Sequence, residues 1–180
     1  MTEMGSLGLE RGQVRVVSWN SHWPRLFLEA ASEIRNAVGV HVLEIEHIGS
    51  TAVVGLSAKP LLDILVGVAE FDAALDLVPD LARLGYEHRP DEEIPDRHYF
   101  RRLVASGRTH HLSLAEPSSN YYRRTVGFRD ALRGDAALRI AYEELKRDLA
   151  HRYPTDREQY LNGKTAFVLG VLDSHGYLEP

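Results

Sequence analysis

Cysteine is absent from the 180-residue chain, which removes disulfides and thiolate metal ligands from consideration. No apolar run approaches the roughly 18 residues that a membrane-spanning helix needs. The first residues, MTEMGSLGLERGQ, have neither a basic start nor an apolar core. They do not read as a signal peptide and are expected as a loose leader over residues 1–13, with cytoplasmic residence as the default. An excess of positive charge is missing too. The net charge of −5 and the pI near 6.0 argue against broad nucleic-acid binding by charge alone. No internal repeat and no low-complexity tract interrupts the chain. What is left is 44% hydrophobic, ordinary for a globular protein. The length suits a single domain over residues 14–180, with a sheet-bearing part at 14–117 and a helical part at 118–180.

The most informative stretch runs from Glu44 to Val68, EIEHIGSTAVVGLSAKPLLDILVGV. It reads as a strand, a turn at Gly49-Ser50, a loop with Gly55 and Pro60, and a second, apolar strand. Period two puts Leu62, Ile64, Val66 and Val68 on one face of that strand and Leu61, Asp63, Leu65 and Gly67 on the other. A strand apolar on both faces is central and covered on both sides. Asp63 is its one charge, and an ionised carboxylate there requires a cation, a metal or hydrogen bonds. Capping of a neighbouring turn is the structural alternative.

The turn upstream supplies a chemical reading. Backbone N–H groups at Gly49-Ser50-Thr51, with two hydroxyls, suit an anion. A phosphate cradle beside an acid is one way to assemble a metal–nucleotide site. Lys59 either neutralises phosphate or pairs with an acid. Glu46 and His47, just before the turn, are supporting candidates. One would bind the metal or orient Ser50; the alternative is a solvent-facing acid and a histidine satisfying a loop carbonyl.

IEHIGSTAVVGLSAKPLLDI resembles the signature of the GrpB family. The resemblance continues in RTHHLSL (Arg108 to Leu114), in FRDALR (Phe128 to Arg133) and at Lys164-Thr165, and covers nearly the whole chain from Val16 onward. GrpB-like proteins resemble the nucleotidyltransferase superfamily, the fold of polymerase-beta-like and antibiotic-adenylylating enzymes. That resemblance implies Gly-Ser on a turn and an acid–apolar–acid triplet on the following strand. Gly49-Ser50 and Asp63 fit, with twelve residues between Ser50 and Asp63. Leu65 stands at the second acid, a departure from the pattern. The resemblance further implies a nucleoside triphosphate as partner and Mg or Mn as cofactor, with an acceptor that the sequence does not name.

The rest of the chain fills in around this stretch. Val14 to Val17 is a short strand candidate. Ser21 is expected to cap a helix with Pro24 in its first turn, an apolar stripe from Trp23 to Val38, and Gly39 at its end. Phe71 to Leu84 reads as a helix split or kinked at Pro79 and stopped by Gly85. Tyr86 to Arg89 is a strand candidate, followed by a polar, Pro-containing loop with a solvated acid run. His98 to Ala105 and Thr109 to Leu114 are expected to pair through a turn at Ser106-Gly107. In the second of these strands His111 and Ser113 share a face. GrpB-like sequences commonly carry His at the position of Ser113 as well, so a period-two clamp is here reduced to one His. From Ser118 the pattern is helical. Arg129 and Arg133 share a helix face and either clamp phosphates or pair with acids such as Asp130 and Glu143. Asp135 caps the next helix, whose stripe of Leu138, Ala141, Tyr142, Leu145 and Leu149 leaves Lys146 on another face. The last helix, from Arg157 to Leu172, contains Asn162-Gly163, a costly pair in a helix. It reads as a local break or as a close approach to a ligand or to Lys164.

These readings give an α+β domain: a small mixed β-sheet covered by helices, with a C-terminal helical part closing a cleft. The expected function is metal-dependent nucleotidyl transfer or nucleotide binding. Asp63 and His111 would hold a divalent cation at the catalytic centre, and Gly49, Ser50 and Thr51 the phosphates. Lys59, Arg129, Lys146 and Lys164 would offset triphosphate charge. The alternatives are a non-catalytic nucleotide or anion binder on the same fold, which Leu65 favours, and a metal-dependent hydrolase using His47, Asp63 and His111.

Overall fold

The computed structural model describes residues 7–10, 12–90, 94–105 and 107–178. The acid run at 91–93, Ser106 of the expected hairpin turn and the first six residues of the expected leader lie outside the described residues.

Five strands form one mixed sheet: β1 (Val42–Ile48), β2 (Leu62–Val68), β3 (Tyr86–His88), β4 (His98–Val104) and β5 (Gly107–Ala115), in the order β1-β2-β5-β4-β3. β2 runs antiparallel to β1 and parallel to β5, and the other pairs are antiparallel. The apolar strand is therefore internal, as its composition requires. Its Leu62, Ile64, Val66 and Val68 face helix α1 (Trp23–Val38), which contributes Trp23, Ala30, Ile34 and Val38 to the same core. On the opposite face Leu65 packs with Ile48, Ala115 and Tyr122, while Asp63 stands nearer the start of the strand.

Several elements differ from their sequence expectation for local reasons. The α1 N-cap is His22, with no side-chain cap; Asn20 Oδ1 accepts the His22 N–H at 2.8 Å in the turn before the helix, and Ser21 does not cap it. The Phe71–Leu84 segment divides into a 3₁₀ helix (Asp72–Leu77) and α2 (Val78–Arg83), with Pro79 in the first turn of α2 where its missing N–H costs nothing. Val14–Val17 forms no strand and makes a single bridge, Val17 to Ala58. Within the expected leader, Gly8 and Leu9 are held to the fold, Gly8 donating to the Pro60 carbonyl at 3.0 Å. Leu9 exchanges two backbone hydrogen bonds with Arg108 and is 2% exposed.

Three helices cover the second face: α3 (Asn120–Gly134), α4 (Ala136–Arg152) and α5 (Arg157–Ser174), with Ser119, Asp135 and Asp156 accepting N-terminal amides. They dock on the loop between β1 and β2. Val53 and Leu56 of that loop are buried with Leu132, Tyr142, Phe128 and Phe167. A Cβ on Gly163 would lie 2.4 Å from Leu149 Cδ2, so the glycine lets α5 approach α4. The close neighbour is a helix, not a ligand. α4 buries Tyr142 and Leu149 of the expected stripe and Lys146 with them, on the same face by its spacing of four from Tyr142, while Ala141 is exposed.

Arg129 fastens α3 to β1. Its guanidinium donates to the Glu46 carboxylate, to the His47 carbonyl at 3.0 Å and to Asp130 at 2.8 Å. It is buried and committed to these partners, which makes it a structural residue and not the phosphate clamp expected. Arg129→Ala is expected to lower stability by about 2 kcal/mol, because a buried carbonyl and a half-buried carboxylate lose their donor. A urea unfolding curve measures this; an unchanged midpoint would contradict the assignment.

Candidate functional site

Parallel pairing sets Asp63 directly beside His111 in the register of β2 and β5. Side chains at paired positions share a face, and here His111 Nδ1 lies 2.9 Å from Asp63 Oδ1. A carboxylate only accepts, so Nδ1 carries the proton. Nε2 is buried and has no hydrogen-bond partner among the described residues.

Asp63 is crowded from the other side by the turn. Gly49 has φ +68° and ψ −173°, a conformation that side chains disfavour. A Cβ built there would sit 2.4 Å from Asp63 Oδ2. The glycine is thus required by the approach of the turn to the acid, with the 3₁₀ turn Ser50–Ala52 following at once.

A cavity of about 200 Å³ opens beside this contact. Ser50, Thr51, Lys59, Asp63, His111, Lys146 and Lys164 all line it. The structure therefore brings together most of the sequence-predicted site, and Ser50 and Asp63 open onto the same space. Lys146 Nζ donates to Ser50 Oγ at 2.9 Å and to the Ser57 carbonyl. Lys59 and Lys164 hold their ammonium groups 3.8 and 4.7 Å from the centre of the Tyr160 ring, a cation–π arrangement that favours the charged forms. Arg147 and Glu143 fix the loop from α4, both reaching the Ser57 hydroxyl.

Glu46, His47 and Arg129 do not line the cavity. His47 shares a hydrogen bond with Thr51 Oγ1 at 3.0 Å and stacks on Phe27 at 4.5 Å. Burial lowers its pKa to about 4, with the Asp63 charge opposing and Arg133 and Arg129 reinforcing. A neutral His47 and the Glu46–Arg129 pair thus brace the turn from behind. Sequence reasoning missed Arg108, Arg157 and Tyr160, which also line the cavity. A signal was present, since Arg157, Tyr160, Leu161 and Lys164 follow helical spacing on one face of α5.

A second cavity of about 550 Å³ adjoins the first and shares Asp63, His111, Arg157 and Leu161 with it. Its walls include Tyr99, Tyr121, Ile94, Arg97 and Ser113. Ser113 Oγ pairs with the Tyr121 hydroxyl at 3.0 Å.

The donor set does not fit the divalent-metal centre that the superfamily implies. Among the described residues no three His, Asp or Glu side chains converge on one point. Asp63 uses Oδ1 for His111 and presses Oδ2 against Gly49. Leu65 is buried in an apolar cluster away from the cavity. His47 is turned to Thr51, which also leaves the hydrolase set of His47, Asp63 and His111 unassembled.

The order of strands, the glycine turn against an acid-bearing central strand and the helical cover define a nucleotidyltransferase fold. Cid1 in complex with the UTP analogue UMPNPP aligns over 76% of this chain and 43% of its own, at 15% identity and a TM-score of 0.51. Within that fold the chain belongs to the GrpB family, whose model, described as GrpB protein, matches residues 13–174. It is 34% identical to the glutamate-rich protein GrpB of Alkalihalophilus pseudofirmus, over 93% of this chain and 98% of that one. It is 38% identical to a UPF0157 protein of Pseudomonas aeruginosa, over 89% of this chain and 66% of that one. The crystal structure of GrpB from Enterococcus faecalis covers 92% of this chain and all of its own, with 31% identity and a TM-score of 0.83. No helix among the described residues is long and apolar enough to cross a membrane.

Two expectations follow from the geometry. Gly49→Ala meets both an unfavourable φ and the Asp63 carboxylate, and is expected to cost about 1–3 kcal/mol. Thermal unfolding checks this, and a variant as stable as the parent would sink it.

The second concerns pH. Burial lowers Lys59 to about 7, with Lys164, Arg157 and Arg108 reinforcing and Asp63 opposing. Burial lowers Lys146 to about 7 as well, with Lys164 and Arg147 reinforcing and Glu143 opposing. Lys164 falls to about 8 through burial, opposed by Asp63 and reinforced by Arg157. All three start from 10.5 when unfolded, so between roughly pH 7 and 10 the unfolded chain binds protons that the folded chain refuses. Their contribution to stability therefore rises with pH across that window. An anion that binds the ammonium forms takes up protons, so the thermal stabilisation by inorganic tripolyphosphate is expected to shrink from pH 7 to 9. A stabilisation that stays constant or grows over that range would contradict these assignments.

Proposed function

We propose that this protein binds a nucleoside triphosphate with its polyphosphate in the smaller cavity, and that it transfers the nucleotidyl group to a hydroxyl acceptor. The observation that carries the reading is the charge of that cavity. Lys59, Arg108, Lys146, Arg157 and Lys164 surround a single acid, Asp63, at the Gly-Ser turn of a nucleotidyltransferase fold. Converging cations in a partly desolvated pocket suit a polyanion. Lys146 on Ser50 holds the hydroxyl in place beside the phosphates. The larger cavity, walled by Tyr99 and Tyr121, takes the nucleoside and the acceptor.

His111 stands between the two cavities. The acceptor hydroxyl would pass its proton to Asp63, whose carboxylate lines both cavities and is held in place by His111 Nδ1. The acceptor oxygen then bonds to the α-phosphorus, and the bond from that phosphorus to the bridging oxygen breaks. Pyrophosphate leaves with its charge held by Lys59, Lys146 and Lys164. Leu65 favours a second reading, in which nucleotide is bound without turnover.

Calorimetric titration with each of the four ribonucleoside triphosphates tests binding, and pyrophosphate release in the presence of candidate hydroxyl acceptors tests transfer. Lys164→Met is expected to weaken nucleotide binding at least about tenfold while leaving a folded protein. Unchanged affinity in that variant would remove Lys164 from the phosphate site. Nucleotide binding with no pyrophosphate released would leave the second reading standing.

A further inference from the structure

The mismatch between the site and a divalent metal has a positive counterpart, resting on the nucleotide reading above. We infer that the cavity takes the polyphosphate as a metal-free anion, with the Lys59, Lys146 and Lys164 ammonium groups in the charge-neutralising role that divalent cations would otherwise fill.

Three independent features of the geometry point this way. The first is the state of the acid. Asp63 Oδ1 accepts from His111 at 2.9 Å, and Asp63 is the one acid lining the cavity. A hard cation needs several such oxygens to replace its water, and among the described residues no three His, Asp or Glu side chains gather there. The second is the sign of the surroundings. A carboxylate pair would compensate a bound dication, but here one acid faces two arginines and three lysines. A divalent ion at Asp63 would meet repulsion from Lys59 and Lys164, both of which already feel the Asp63 charge. The third is that the lysines are placed, not merely near. Lys146 is 2% exposed and fixed by Ser50 and Ser57. Lys59 and Lys164 rest on one aromatic ring from different parts of the chain. Holding three ammonium groups out of water is costly unless an anion repays it.

The test separates metal-free from metal-bound ligand on the intact protein. Inorganic tripolyphosphate and ATP are titrated by calorimetry in excess EDTA, in excess magnesium and in excess manganese. The same titrations are run on Asp63→Asn, which removes the acid without changing its shape. In the parent, magnesium and manganese are expected to leave the dissociation constant within about threefold of its EDTA value or to weaken binding. Asp63→Asn is expected to bind in EDTA at least as tightly as the parent, because a negative charge has left the cavity. A metal site requires the opposite sign in both measurements. Tightening by either metal beyond about threefold, or weakening by Asp63→Asn beyond about threefold in a protein that remains folded, would each overturn the inference. Should Asp63→Asn fail to fold, the parent titrations decide alone. Absence of binding in every condition would overturn the nucleotide reading and this inference with it.

Discussion

The buried ammonium of Lys146 ties the sheet to the helical cover. It leaves α4, passes into the interior and ends on Ser50 and Ser57, one residue at the turn and one in the loop that follows. An unpaired charge at 2% exposure would be prohibitive. The two oxygens, and the face of Tyr142 at 4.8 Å, make it tolerable. Once that contact is made, the neighbouring geometry follows. Arg147 and Glu143 secure Ser57, Val53 and Leu56 enter the helical core, and Lys59 is delivered to the rim where Lys164 arrives from α5.

The acid side of the cavity is fixed by a different force. β2 and β5 run parallel, and their register alone sets Asp63 beside His111. The register is itself held by the apolar face beneath, since a one-residue slip would turn Leu62, Ile64 and Val66 toward the polar side. The hydrophobic core on one face thus specifies the polar pair on the other. Behind the turn, the Glu46–Arg129 pair and the neutral His47 keep Gly49 pressed on Asp63 without entering the cavity.

Much of this was legible in the sequence where the signal is local. Period two located β1, β2 and β5 and predicted that Asp63 and Leu65 would share a side of β2; Gly-Ser placed the turn. The long-range partners were not legible. Arg129 reads as a phosphate clamp or as the partner of an acid such as Asp130; the Asp130 contact forms, but nothing local reveals Glu46, 83 positions away. Lys146 reads as a cleft residue on a face of α4 other than the apolar stripe. Yet Lys146 follows Tyr142 by four and precedes Leu149 by three, so helical spacing puts all three on the one face that is buried. Gly163 looked like a defect or a ligand contact, because the sequence of α5 does not contain Leu149 of α4.

Leu65 carries a consequence for how this site can change. It lies among Ile48, Ala115 and Tyr122 with no exposed surface. Replacing it by an acid would strand a carboxylate in an apolar pocket, at a cost of several kcal/mol. The substitution becomes tolerable only if those neighbours change with it. A chain with this packing therefore has no single-substitution route to a two-carboxylate centre. Its accessible mutational routes run through Lys59 and Lys164, whose charges line the cavity outside the apolar core.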